Sequence, residues 1–177
     1  MIKFIMEELE DLYSLKHITR YNNIPRIKEE SVAEHSYFVA LITARLHNYY
    51  KFDLKRALLM SIVHDIFEIY ISDIPRNVKI KYPKLSITMK DIEEDCINEK
   101  YPEYKLLIMD FNKGLTMESM IVKLADNLSV VQYAETEVKL GSTHYMPEVV
   151  KLAKESIKKL EKKLKKYERN KKVYGEI

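Results

Sequence analysis

Apolar residues recur along this chain at spacings of three and four almost from end to end, the period of helices that bury one face. The pattern predicts a first amphipathic helix over 3–16, followed by a polar connection, HITRYNNIPRIKEE. Ser31 and Glu34 have the spacing of a capping box and open a second helix to about Tyr50, apolar almost all round and therefore central. Asp53 caps a third helix from Leu54 to about Tyr70, and Ser72-Asp73-Ile74-Pro75 ends it, since the residue before proline avoids the helical region. A basic loop over 76–83, a fourth helix over about 84–100 and a short one over 103–112 follow. Thr116 opens a long helix to Leu140, stopped by Gly141, and Pro147 falls in the first turn of a last helix over about 147–172. With three glycines, five prolines and no alternating Val/Ile/Thr-rich run, the chain reads as all-α. One bundle of about six to seven helices, without repeats or an internal boundary, accounts for residues 1–177.

Four polar residues interrupt these apolar segments. His64 and Asp65 stand inside LLMSIVHDIFEIYI, His35 inside SVAEHSYFVAL and Asp126 inside MIVKLADNLSVV. A buried carboxylate without a partner is costly, and a cation shared with a neighbouring imidazole removes the cost. One such histidine alone is more often a hydrogen-bonded core residue; four residues in the order H…HD…D point to a metal centre, with a core over about 28–140. Two imidazoles and two carboxylates suit one divalent ion of Mn, Co, Zn, Ni or Fe. Four protein ligands leave two octahedral positions, for a water and a substrate oxygen, which is what phosphate-ester hydrolysis requires. Glu68 lies four residues after His64 on the same helix face, within reach of that water, and Asp73 lies at the rim.

The series His35…His64-Asp65-x-x-Glu68-x-x-x-x-Asp73…Asp126 resembles the HD-domain superfamily, and within it the bacterial 5′-deoxynucleotidases. Ser31 to His35, the turn Ser72 to Pro75, Val78-Lys79 and Val122 to Asp126 belong to the same resemblance, which covers roughly residues 10–145. It implies an all-α fold and metal-dependent hydrolysis of deoxynucleoside 5′-monophosphates to deoxynucleoside and phosphate. It also implies metal ligation by His35, His64, Asp65 and Asp126, catalytic roles for Glu68 and Asp73, and a phosphate contact from Arg20. Glu68 would take a proton from the attacking water; Asp73 would position that water or protonate the leaving sugar oxygen. Lys79 is a second phosphate candidate, as a point charge. Tyr21 departs from the family: the deoxynucleotidases carry a tryptophan there, against the sugar. Tyrosine keeps the flat apolar face and adds a hydroxyl. Arg26, Arg76 and Lys81 read mainly as exposed, solubilising residues.

Charge and composition narrow the alternatives. Residues 151–172 hold eleven Lys or Arg against three Glu, so a local +8 is set in a chain of net +3. Because Val150, Ala153, Ile157, Leu160, Leu164 and Tyr167 form a stripe there, this is a docking helix with a basic wet face, on the core or on a second subunit, and a homo-oligomer is expected. The tail lacks the interleaved aromatic residues of a nucleic-acid surface, apart from Tyr167. A single cysteine, Cys96, excludes an internal disulfide and a thiolate cluster. Acids close behind the short apolar start argue against a secretory signal, and no run has the length of a membrane span, so a cytoplasmic protein is expected. A deoxynucleoside triphosphate triphosphohydrolase and a non-catalytic nucleotide-binding module are the rival readings.

Overall fold

The computed structural model describes residues 2–174; residues 1 and 175–177 of the expected domain lie outside them. Nine α-helices occur among the described residues: α1 (Ile2–Ser14), α2 (Val32–Leu46), α3 (Leu54–Val63), α4 (Glu68–Ile71), α5 (Arg76–Lys81), α6 (Pro83–Lys100), α7 (Lys105–Lys113), α8 (Met117–Leu140) and α9 (Met146–Tyr174), with a 3₁₀ turn over Pro102–Tyr104. The strongest terminus signals hold. Glu34 N–H donates to Ser31 Oγ (3.2 Å), and Ser31 N–H donates to Glu34 Oε2 (2.8 Å). Asp53 Oδ1 accepts from the Arg56 amide (2.9 Å), Thr116 caps α8 together with Ser119, and Gly141 (φ 117°) ends it in the left-handed region.

Two expectations are corrected. The predicted third helix is interrupted after Val63, and Ile66, Glu68, Ile69 and Tyr70 bond back to carbonyls only three residues earlier. The cause lies in one side chain: His64 Nδ1–H donates to Ser61 O (2.8 Å), the carbonyl an α-helix would give to the Asp65 amide. The segment read as a basic loop is instead mostly α5, whose first turn is closed by Val78 and Lys79 amides on Pro75 O, with no glycine or proline inside it. The helix count therefore exceeds six to seven through short pieces, while the fold class is unchanged.

α2, α3, α7 and α8 meet around Val39, Ala57, Met60, Leu107, Val122 and Ala125. Val63, Ile66, Ile97, Tyr101 and Ile108 extend this core under the broken helix. α9 lies along α8, burying Ala153, Leu160 and Leu164, with Leu160 and Leu164 packed against Met117, Met120, Ile121 and Leu124. The apolar stripe of the last helix is thus covered within the chain, which leaves the expectation of a homo-oligomer without that support. α2 is central on one side only: Tyr37, Phe38 and Leu41 are exposed on its other face. Glu137 on α8, 1% exposed, accepts the amides of Ile27 (2.6 Å) and Lys28 (2.9 Å) and so fixes the long α1–α2 connection to the bundle. Among the described residues, no helix is long and apolar enough to cross a membrane.

Candidate metal centre

Three core helices deliver the polar residues to one point. His35 comes from the first turn of α2, His64 and Asp65 from the turn that directly follows α3, and Asp126 from the middle of α8. Ligand atoms of His35, His64 and Asp126 all lie within 4.8 Å of one another. Asp65 is not part of that trio, but its Oδ2 lies 3.2 Å from His64 Nε2. His35 sets Nε2 3.1 Å from Asp126 Oδ1 and Nδ1 3.3 Å from the Ser129 hydroxyl.

These atoms fit a divalent cation. The bond to Ser61 O places the His64 proton on Nδ1 and turns the lone pair of Nε2 inward, where that atom is buried without a hydrogen-bond partner. Burial, reinforced by the Arg20 charge, pulls the His35 pKa down to about 4, so its ring is neutral and able to ligate at physiological pH. For His64 burial pulls the same way, but Asp65 and Asp126 outweigh it and raise the value in the absence of a cation. Burial opposes ionisation of Asp65 and Asp126 too; the two histidines nevertheless hold both below the ordinary aspartate value.

Glu68, 4% exposed, has an Oε2 without a partner. Burial first, then the Asp65 and Asp73 charges, raise its pKa well above the ordinary glutamate value. Asp73 Oδ2 accepts the Tyr21 amide (2.9 Å), holding Tyr21 at φ 55°, a conformation rare outside glycine. Arg20 pairs with buried Glu30 (2.8 Å), a partner that the sequence reading overlooked. The Tyr21 ring is buried and stacks on Tyr133 (5.6 Å, 6° between planes).

Asp65, Glu68, Asp73 and Asp126 open into a cavity of about 310 Å³ that Arg20, Tyr21 and Lys79 also line. The fold therefore brings all nine predicted site residues to one place, seven as lining of the cavity and His35 and His64 by their distance to Asp126. A scan of the whole sequence for known domains matches the HD domain over residues 12–168. The chain belongs to the HD-domain family.

Relatives of this HD protein point the same way. A 5′-deoxynucleotidase of Photorhabdus laumondii is 28% identical over 81% of this chain and 79% of its own. The PH0347 protein of Pyrococcus horikoshii superposes with a TM-score of 0.79 at 28% identity, covering 93% and 94% of the two chains. An HD-domain phosphohydrolase of Listeria innocua shares the fold, with a TM-score of 0.77 at 22% identity over 93% and 86%. The protein is a hydrolase, a metal-dependent phosphohydrolase of the HD type. The family match runs through the C-terminal helix, beyond the stretch to about residue 145 that the motifs covered.

That extension matters for the HD pocket, because Tyr145, Glu148, Val149, Leu152 and Ala153 are part of its lining. In sequence they are indistinguishable from a docking stripe. Arg76, read as solubilising, also lines the cavity and donates to Ser156 Oγ of α9 (2.9 Å). Ser61 and Ser129 were missed as well; only a fold shows which hydroxyl or carbonyl faces a histidine.

Proposed function

We propose that the protein is a 5′-deoxynucleotidase, hydrolysing deoxynucleoside 5′-monophosphates to deoxynucleoside and orthophosphate. One observation carries this reading: a single cavity joins the ligand carboxylates and Glu68 to two cations, Arg20 and Lys79, and to an apolar wall of Ile24, Val130, Val149 and Leu152. Its volume lies at the lower end of the roughly 300–1,000 Å³ of small-molecule sites. Five acids (Asp65, Glu68, Asp73, Asp126 and Glu148) line it against three cations (Arg20, Arg76 and Lys79), a balance better suited to one phosphate than to three. The 5′-deoxynucleotidase names of the curated relatives favour the same substrate.

His35, His64, Asp65 and Asp126 would hold one divalent cation, which when bound polarises a phosphate oxygen and acidifies water. Glu68 takes the proton of the attacking water at its unpartnered Oε2. Arg20, oriented by Glu30, and Lys79 meet the phosphate charge. Asp73, through the Tyr21 amide, keeps Arg20 and Tyr21 at the pocket; this bond favours positioning over proton donation for Asp73. The apolar wall takes the base, and Tyr21 lies on the sugar side.

The test is product chromatography. Metal-stripped protein resupplied with Mn²⁺, Co²⁺ or Zn²⁺ meets deoxy- and ribonucleoside mono- and triphosphates, with Asp65→Ala as control. Orthophosphate from deoxymonophosphates is the expected product. Release of intact triphosphate would replace this reading with a triphosphohydrolase, and binding without turnover would replace it with a nucleotide-binding module.

A further inference from the structure

Lys123 is a cation placed where helix packing alone would favour an apolar residue. It lies on α8 three residues before Asp126, hence on the same face, in the apolar segment MIVKLADNL. Its stem crosses Gly114, the left-handed residue (φ 62°) that ends α7, so closely that a Cβ there would stand 3.0 Å from Lys123 Cε. Its ammonium sits 4.2 Å from the centroid of the Phe111 ring. The same ring lies 5.1 Å from the imidazole of His64. Phe111 therefore separates a fixed positive charge from a predicted metal ligand. The charged groups within electrostatic reach of the ammonium are Asp126, Asp65 and Glu93 as attractors and Lys163 of α9 as a repeller. None of them forms a direct ion pair with it among the described residues.

We propose that Lys123 is a built-in counter-charge behind the metal centre: it offsets Asp65 and Asp126 when no cation is bound and opposes the cation when one is. Held by a glycine notch and an aromatic face, it cannot swing into the pocket to be displaced. It therefore limits how tightly the centre retains its ion, while burial, which outweighs the attraction of Asp126, Asp65 and Glu93 and lowers the lysine pKa, keeps the charge from adding to the stability of the metal-free fold. The inference rests on His35, His64, Asp65 and Asp126 holding a divalent cation.

Calorimetric titration of metal-stripped protein with Mn²⁺, together with thermal unfolding with and without Mn²⁺, tests it. Lys123→Met keeps the stem and removes the charge. A unit charge acting across such a distance through an interior of effective dielectric about 20 is large enough to alter divalent-ion affinity about tenfold. Lys123→Met is expected to bind Mn²⁺ about tenfold more tightly and to gain more in melting temperature from Mn²⁺ than wild type does. Lys123→Arg, which keeps the charge, is expected to bind within about twofold of wild type. A purely structural lysine would lower stability without tightening the metal. Unchanged or weaker binding by Lys123→Met would overturn the proposal. So would failure of both Lys123→Met and Lys123→Gln to fold even with Mn²⁺ present. If wild type itself binds no Mn²⁺, the metal-centre reading falls as well.

Discussion

Replacing Glu137 by alanine should loosen the substrate side of the pocket from more than 100 residues away in sequence. Its buried carboxylate accepts two backbone amides, Ile27 (2.6 Å) and Lys28 (2.9 Å), and those residues belong to the α1–α2 connection that also carries Arg20 and Tyr21. A hydrogen bond to a charged acceptor contributes about 1.5–3 kcal/mol. Both amides are partly accessible, so water recovers some of the loss, and about 2–4 kcal/mol is expected for Glu137→Ala. Tyr133 still donates to Lys28 O (2.7 Å), which keeps the defect local. At about 2–4 °C per kcal/mol for a chain of this size, Tm should fall by about 5–15 °C. The denaturation midpoint should move without a change of m value. Amide exchange at Ile27 and Lys28 should accelerate, and KM should rise more than kcat falls, because Arg20 is misplaced while the metal ligands are untouched. Glu137→Gln, with one acceptor oxygen left, should fall between. An unchanged midpoint with unchanged protection at Ile27 and Lys28 would refute the clamp.

Three further outcomes follow from the centre. Glu68→Gln should lower kcat by about 10²–10⁴, the usual contribution of a general base, yet raise the Tm of metal-free protein near pH 7. The folded pKa of Glu68 is raised, so its favourable contribution is present below the unfolded value and lost as pH rises through the folded one; the gain from glutamine should vanish towards pH 4. Mn²⁺ at about 100 times its Kd should stabilise the wild type by about 2.7 kcal/mol, read as a rise in Tm that Asp126→Asn removes. Tyr21→Trp, which supplies the indole of the deoxynucleotidases, should raise the deoxy-to-ribo ratio of kcat/KM about tenfold, as a reshaped apolar contact can. Equal ratios in the two proteins would remove Tyr21 from the sugar site.

Much of the site could be read before folding because its residues violate their surroundings. His35, His64 and Asp126 are polar positions in helices that otherwise bury their faces, and buried polar groups need partners. The capping boxes at Ser31 and Thr116 and the stop at Gly141 work within a few residues, so their boundaries were readable too. What escaped depends on contacts between distant segments. The break after Val63 comes from His64 taking a backbone carbonyl, with no glycine or proline to announce it. Glu30 looks like any surface acid until it meets Arg20, and Glu137 like any helical one until it meets Ile27 and Lys28. Val149, Leu152 and Ala153 fit an amphipathic pattern whether they face a core, a partner or a substrate.

The decisive measurement is orthophosphate release from a deoxynucleoside monophosphate as metal-stripped protein is titrated with Mn²⁺, in wild type and in Asp126→Asn. Activity that rises from zero and saturates near one ion per chain in wild type, and stays absent in Asp126→Asn, is the predicted result. Full orthophosphate release from the stripped wild type, or restoration of Asp126→Asn by the same Mn²⁺, would contradict a metal centre built on these four ligands.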